Sequence, residues 1–583
     1  MEGMCLDHFV TEGMLRSFEG ILGKNGHTYM PMSEWKVEAT AILEKAAKAC
    51  DFKTPCYFCE FKDTPACNEY RKTFIQGIVP RWFQEQMDED KTTICYWDEE
   101  KSHLRIFPTF EEAISSGKEI WVADSSAVQA EAAIAHRVRV SSSSRDLNNA
   151  CLERVLKWSQ IDEKFKLTED QLDVVRAVLS QNFVVVDGGP GTGKTTILKI
   201  IYQYYCQLFP DHVYCGAPTG KAAKRMSDLT HSPASTLHRL LGAVYDEETE
   251  QSYFTYTQEN RHPGKVFLID EASMIDSVIF ASFLAAVNDD AVIILVGDSH
   301  QLPSVGAGRV LADLIGSNKV CVCTLVENFR QLHDSMIVKN ASLILHGEEM
   351  VFPDEATDIH FIEAGPGEIP EKIDEWVREQ NPDYFVDKWR DLAILCPKKN
   401  GPISTTVINE QLQKESCRRR GTTPYPIRGG QNDKARFARN DRVIQVRNDY
   451  RLICTNSDGS ESYGIFNGDI GYIKSIVPFS EFPMEILFDD GRKVTYPVES
   501  AGDVELAYAL TVHKAQGGEW KKVLLVLPPE RSPIFNRNLL YTAVTRAKEE
   551  LWIIGDRETI SRMIRSRYAD SRKTALKIFL RNL

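Results

Sequence analysis

The stretch Asp187-Gly188-Gly189-Pro190-Gly191-Thr192-Gly193-Lys194-Thr195-Thr196 constrains this chain more than any other. The apolar run Phe183-Val184-Val185-Val186 before it reads as a buried strand, and Ile197-Leu198-Lys199-Ile200-Ile201 after it has helical spacing. A strand, a glycine turn and a helix are the setting in which G-x-x-x-x-G-K-[ST] works as a phosphate cradle. Backbone N–H groups of the turn and of the helix N-terminus converge on one spot and favour anionic oxygens there. Gly188, Gly191 and Gly193 permit backbone angles and close approach that side chains would block. Lys194 is placed to reach outer phosphates, and the Thr195 hydroxyl to ligate Mg²⁺. A glycine turn that bound nothing would need neither the lysine nor the threonine. The expectation is a nucleoside triphosphate site, with Gly189, Pro190, Thr192 and Thr196 completing its loop.

The residues around this loop extend the pattern. Upstream, Leu167-Thr168-Glu169-Asp170-Gln171 has the spacing of a capping box, Thr168 at N-cap and Gln171 at N3. The competing reading, that Gln171 hydrogen-bonds a base edge, is the one favoured this close to the loop. Downstream, Val213-Tyr214-Cys215-Gly216-Ala217-Pro218-Thr219-Gly220-Lys221 reads as a strand, a turn and a helix start. Thr219 there offers a hydroxyl and helix N–H groups to a nucleic-acid phosphate. Ser235-Thr236-Leu237-His238-Arg239 reads as a serine-capped amphipathic helix, and the polar stretch 243–264 as an inserted hairpin. Val266-Phe267-Leu268-Ile269 is a buried strand ending in Asp270 and Glu271. Asp270 is placed to hold Mg²⁺ through water and Glu271 to accept a proton from an attacking water. Val292 to Gly297 repeats the strand-then-loop form, ending near Gln301, which is placed to sense the γ-phosphate. Glu327-Asn328-Phe329-Arg330 supplies an arginine beyond the first half, either a finger on the γ-phosphate or a surface ion pair.

At 583 residues the chain is long enough for several domains. A net charge of −14 argues against a protein coated in basic patches but leaves room for a local positive groove. Arg557, Arg562, Arg565, Arg567, Arg572, Lys573, Lys577 and Arg581 give the last stretch such a bias, and a solvated helix face explains it equally well. No stretch approaches a membrane span, and the first residues lack a charged n-region and an apolar h-region, so the expected location is the cytoplasm. Most of the 14 cysteines sit singly among apolar residues, as reduced core thiols do. The exception is Cys50-x5-Cys56-x2-Cys59-x7-Cys67. Four thiols this close suit one metal centre, with a 4Fe-4S iron–sulfur cluster placed ahead of Zn²⁺ and four unliganded thiols as the alternative. Between about 86 and 150, Thr93–Trp97 and Ile120–Val122 read as short strands and Ala127–Arg139 as a helix. No spaced Asp and Glu-x-Lys arrangement of a nuclease can be assembled there.

Taken in order, G-G-P-G-T-G-K-T, A-P-T-G-K-A-A, I-D-E-A-S-M-I-D, G-D-S-H-Q-L-P-S-V-G-A-G and E-N-F-R-Q resemble superfamily 1B helicases, the RecD-like group in particular. The second half agrees through Asp441–Gln445, Ile465–Gly471, Ala509–Glu519 and Leu540–Lys548. The resemblance covers about 160 to 556 and leaves out the cysteine cluster. It implies an α/β fold of two tandem RecA-like P-loop domains with ATP between them. The expected divisions are a mostly helical metal-binding region 1–85 and an accessory region 86–155, then a first motor domain 156–335 and a second 336–583. The insert 243–264 resembles a pin that splits a duplex, and about 448–504 resembles an SH3-like subdomain. The resemblance further implies that Arg330 and Arg546 contact the γ-phosphate and that Glu519 lies near the ribose. Thr219, His238, Thr511 and His513 match positions that touch the DNA strand. The implied activity is ATP-driven 5′ to 3′ movement on single-stranded DNA by a monomeric motor, acting at DNA junctions in repair, recombination or replication. A DNA-stimulated ATPase subunit of a larger repair, defence or helicase–nuclease complex is the alternative.

Overall fold

The computed structural model describes residues 26–32, 34–35, 92–98, 103–106, 110–116, 118, 121–141, 153, 167–246, 251–326, 335–355, 358–426, 436–477, 480–567 and 571–581. The cysteine group Cys50, Cys56, Cys59 and Cys67 lies outside these residues, as does Arg330. Among the described residues no group of three or more His, Cys, Asp or Glu side chains is placed to hold a metal ion, and no helix is long and apolar enough to cross a membrane.

A six-stranded parallel sheet forms the first half. Its order is Cys321–Leu325, Phe183–Gly188, Val292–Gly297, Val266–Ile269, Val213–Ala217 and Ala234–Thr236. The central strands are near-continuous apolar runs, broken only by Asp187 at the carboxyl end of Phe183–Gly188, because both faces are covered. Val184, Val186, Leu268 and Ile294 pack into the core on one face. Phe183, Val185, Ile269, Ile293 and Leu295 alternate into the core on the other. The functional loops leave the carboxyl ends of these strands, where ligands bind in open α/β sheets.

The second half is a five-stranded parallel sheet, ordered Ile359–Glu363, Ala547–Gly555, Trp520–Leu527, Leu392–Cys396 and Ala509–Thr511. Between its helix Thr405–Arg420 and its strand Ala509–Thr511 stands a separate antiparallel sheet of seven strands, with its own core around Phe437, Ile473, Ile486 and Tyr496. This sheet begins at Arg442 and ends at Leu506, so it takes in strands on both sides of the expected 448–504 insert. Residues Ala243–Asp246 and Gln251–Phe254 pair as an antiparallel hairpin.

Two segments sit elsewhere than the sequence suggested. Tyr29–Pro31, expected in a helical N-terminal unit, is a strand. It pairs with Trp121–Asp124 in a four-stranded sheet completed by Thr92–Asp98 and His103–Ile106. The last helix, Leu576–Arg581, belongs by sequence to the second half but buries Leu576 and Leu580 in the core of the first. Glu131, on the helix Ser125–Ser141, holds it there by accepting the Ala575 and Leu576 amides at 2.7 and 3.1 Å. The Thr28 hydroxyl donates to the same carboxylate at 2.9 Å.

Candidate nucleotide site between two sheets

The glycine turn is built as its sequence requires at two points. Gly191 and Gly193 take φ of +79° and +83°, a region open to glycine at little cost. Lys194 opens the helix Lys194–Leu208, and its ammonium donates to the carbonyls of Gly188 and Gly189. The Thr192 hydroxyl donates to the Gly189 carbonyl at 2.9 Å.

A cavity of about 390 Å³ opens above this turn, large enough for a nucleotide. The first sheet contributes Gly189, Pro190, Gly191, Gly193, Lys194, Thr195, Thr196, Asp270, Glu271 and Gln301. The second contributes Glu519, Arg546 and Lys548. Burial, and then the nearby Glu271 carboxylate, push Asp270 up to about 6. Two crowded, half-buried carboxylates are a place where a divalent cation lowers the energy, which fits Mg²⁺. The Asp270 carboxylate also accepts the Glu271 amide at 2.8 Å, and Glu271 itself stands at φ +52°.

Gln301 is held by its amide N–H donating to Asp298 at 3.2 Å, while its Oε1 is buried and meets no donor among the described residues. Arg546 is buried and donates to the carbonyls of Thr542 and Gly518 at 2.9 and 3.2 Å. Glu519 lies between Arg225, 3.5 Å away, and Lys548, 3.3 Å away. Burial works against the Arg225 charge, but Glu519, Asp270 and Glu271 outweigh it and raise its pKa.

The remaining candidates are spread over the structure. Gln171 does not line the cavity; its Oε1 accepts the Thr168 amide and closes the capping box. Thr219 caps the helix Gly220–Thr230, its hydroxyl accepting the Ala222 amide at 3.3 Å. Thr511 holds the Lys514 amide in the same way at 3.3 Å. A Cβ built on Gly517 would stand 3.6 Å from the Thr219 hydroxyl, so these two turns face each other. His238 lies apart, its ring 6.1 Å from Phe254 on the hairpin. Burial lowers the pKa of both His238 and His513, with Arg572 adding to the effect at His513. The cap of the single turn Leu237–Leu240 is Thr236, not Ser235.

Arg225, Asp298, Tyr541 and Lys548 gained no role from the sequence. Three of them lie inside the motif strings themselves, and Arg225 lies two residues past A-P-T-G-K-A-A. What singles out Arg225, Asp298 and Tyr541 is contact across the two sheets, and Lys548 its place in the cavity lining beside Glu519, neither of which local spacing encodes.

Residues 166–364 match a family described as AAA domain, and residues 506–554 match UvrD-like helicase C-terminal domain. The chain is 33% identical over 411 residues to the ATP-dependent RecD2 DNA helicase of Deinococcus radiodurans, covering 70% of this chain and 52% of that protein. It therefore spans about half the length of that relative. It is 30% identical over 424 residues to the RecBCD enzyme subunit RecD of Mycolicibacterium smegmatis, covering 66% of this chain and 71% of the other. Superposition on a Bacteroides Pif1 helicase in complex with ADP-AlF3 and ssDNA gives a TM-score of 0.42 and 17% identity, over 70% of this chain and 96% of that one. On the strength of the RecD match, the chain belongs to the RecD-like helicase family.

Proposed function

We propose that this chain is an ATP-dependent DNA helicase that moves on single-stranded DNA in the 5′ to 3′ direction, in DNA repair, recombination or replication. The observation that carries the reading is the cavity itself, because both sheets line it. A nucleotide there contacts Lys194, Thr195, Asp270, Glu271 and Gln301 on one side and Arg546 and Glu519 on the other. Binding then favours the closed arrangement, and hydrolysis removes the link through the γ-phosphate.

Within this reading Thr195 and Asp270 hold Mg²⁺, which neutralises phosphate charge. Glu271 takes the proton of the attacking water, and Gln301 senses the γ-phosphate. Arg546, joined by Arg330, stabilises charge on the transferring group. With its Oε1 held by the Thr168 amide and its side chain outside the cavity lining, Gln171 keeps only its side-chain N–H groups for a base at the cavity edge. The strand is gripped at Thr219, His238, Thr511 and His513, through backbone contacts that carry no sequence information. The hairpin 243–264 serves as the pin that parts the duplex, and the antiparallel sheet as an SH3-like subdomain. At the N-terminus, Cys50, Cys56, Cys59 and Cys67 hold an iron–sulfur cluster, with zinc as the competing ion. Iron and zinc analysis of anaerobically purified protein distinguishes the two.

A second reading is favoured by the likeness to RecD, which is named as a subunit of the RecBCD enzyme. In it the chain is a DNA-stimulated ATPase of a larger complex with little unwinding alone. The test is unwinding of a forked duplex by the wild-type chain and by Lys194→Ala. The helicase reading expects strand separation by the wild type alone, and single-strand binding without unwinding by the variant. Unwinding by Lys194→Ala would overturn the site assignment. DNA-stimulated hydrolysis without strand separation by the wild type would favour the subunit reading.

A further inference from the structure

One face of the helix Gly220–Thr230 grips the second domain at a single turn. Lys221 and Arg225 are four residues apart and so project from the same side. Arg225 reaches Glu519 at 3.5 Å, and the Lys221 ammonium stands 4.0 Å from the centre of the Trp520 indole ring. Both targets lie in the turn Gly517–Trp520, which leads into the strand Trp520–Leu527.

The turn is shaped to receive that lysine. A Cβ on Gly518 would stand 2.3 Å from the Lys221 nitrogen and 2.7 Å from the Trp520 ring, so only glycine leaves room for the ammonium on the indole face. Gly517 takes φ +70° and packs towards Ala222, with its Cβ position 3.4 Å from the alanine methyl. The Gly518 carbonyl, in turn, accepts from Arg546 at 3.2 Å. One turn thus touches the Thr219 cap on one side and the cavity arginine on the other.

The charged groups around Lys221 are Asp489, Arg442, Arg546 and Asp469. Both carboxylates are already engaged, Asp489 by Arg442 and Asp469 by Arg492. The indole is therefore the group the Lys221 nitrogen sits on; burial lowers its pKa to about 7, so below that pH it is the ammonium for which a Trp face is a favourable partner.

We infer that Lys221 is a positioning residue whose ammonium, seated on Trp520 through the gap at Gly518, locks the Thr219 helix end to the turn that anchors Arg546. Engagement of a strand at Thr219 then sets the arginine in the nucleotide cavity, which makes hydrolysis depend on DNA. The inference rests on the motor reading above.

The experiment measures steady-state ATP hydrolysis and single-strand affinity for wild type, Lys221→Met, Lys221→Arg, Trp520→Leu, Trp520→Phe and the Lys221→Met/Trp520→Leu double variant, with oligothymidylate as the probe. Lys221→Met is expected to lose about tenfold of the DNA stimulation at saturating oligothymidylate, with strand affinity and the KM for ATP within about twofold of wild type. Lys221→Arg and Trp520→Phe, which keep a cation and a ring, should retain most of the stimulation. The double variant should lose no more than either single one. Lys221→Met that binds DNA weakly but is fully stimulated at saturation would make Lys221 a phosphate ligand and overturn the inference. Losses that multiply in the double variant would overturn it as well. An inert wild-type protein would instead reject the motor reading, and this inference with it.

Discussion

The hydroxyl of Tyr541, on the second domain's helix Arg537–Val544, donates to the buried Asp298 carboxylate of the first domain at 2.9 Å. The same carboxylate accepts the His300 amide at 3.0 Å and the Gln301 side chain at 3.2 Å. Tyr541 also closes over the glycine turn, its oxygen 3.1 Å from where a Cβ on Gly189 would stand. Neighbouring bonds reinforce the joint. The Leu302 amide donates to the Thr542 hydroxyl at 2.9 Å, and Gln516 donates to the Leu302 carbonyl at 3.1 Å. The loop that positions Gln301 is therefore fixed by the second domain.

Tyr541→Phe keeps the ring and its packing but removes one hydrogen bond to a buried charge, worth about 1.5–3 kcal/mol. With the loop loosened, kcat for ATP hydrolysis should fall about tenfold while the KM for ATP stays within about twofold. Steady-state kinetics checks this. A raised KM with unchanged kcat would mean that Tyr541 serves nucleotide binding and not the loop.

Glu271 offers a case in which stability and activity separate. It starts the turn Ala272–Met274 in the left-handed region, at φ +52°. A side chain there costs about 1–2 kcal/mol, of the kind stored at functional sites. Glu271→Gly should therefore melt a few degrees higher than wild type, about 2–4 °C for a domain of this size, and hydrolyse no ATP. Glu271→Gln keeps the strain, so it should be inactive with no gain in melting temperature. If Glu271→Gly melts lower than wild type, contacts of the carboxylate outweigh the strain.

These relationships mark how far the sequence could be read. The glycine turn and the strands Phe183–Gly188, Val266–Ile269 and Val292–Gly297 were legible because each is a continuous apolar run with a loop at its end. The Thr168–Gln171 capping box was visible as a spacing of three, although the reading favoured for Gln171 was a contact to a base edge. Thr236 was displaced from the expected cap by one residue. Ser and Thr both serve as caps, and pairing of Ala234–Thr236 with Cys215–Ala217 carries the strand one residue past Ser235. Tyr29–Pro31 is too short to show an alternation, so its pairing with Trp121–Asp124 left no local trace. Arg225 reaches Glu519 across nearly three hundred residues of chain, and nothing in a helix repeat names a partner that distant.

The last helix yields a dependence on pH. Glu131 is buried between the Ala575 and Leu576 amides, Thr28 and the Ser277 hydroxyl, which lies 3.1 Å from its other oxygen. Burial, and then the neighbouring Asp313, push its pKa from 4.5 up to about 8, against the hydrogen bonds that favour the charged form. Between those values the folded chain holds a proton that the unfolded chain has released, so stability falls as pH rises through that range. The contribution is fully present below 4.5 and is lost as the pH passes about 8. Asp313 is also raised, but only to about 6, whereas Lys221 and Cys321, both lowered to about 7, titrate in the Glu131 range with the opposite sign, so the Glu131 contribution is read as the difference between wild type and Glu131→Gln. Relative to Glu131→Gln, which stays neutral at this position throughout, the wild type should lose melting temperature from about pH 6.5 to 8.5. Cleavage within residues 571–581 by a protease should follow the same trend, because undocking of the helix Leu576–Arg581 from Glu131 exposes them. An equal slope in Glu131→Gln would place the pH dependence on another group.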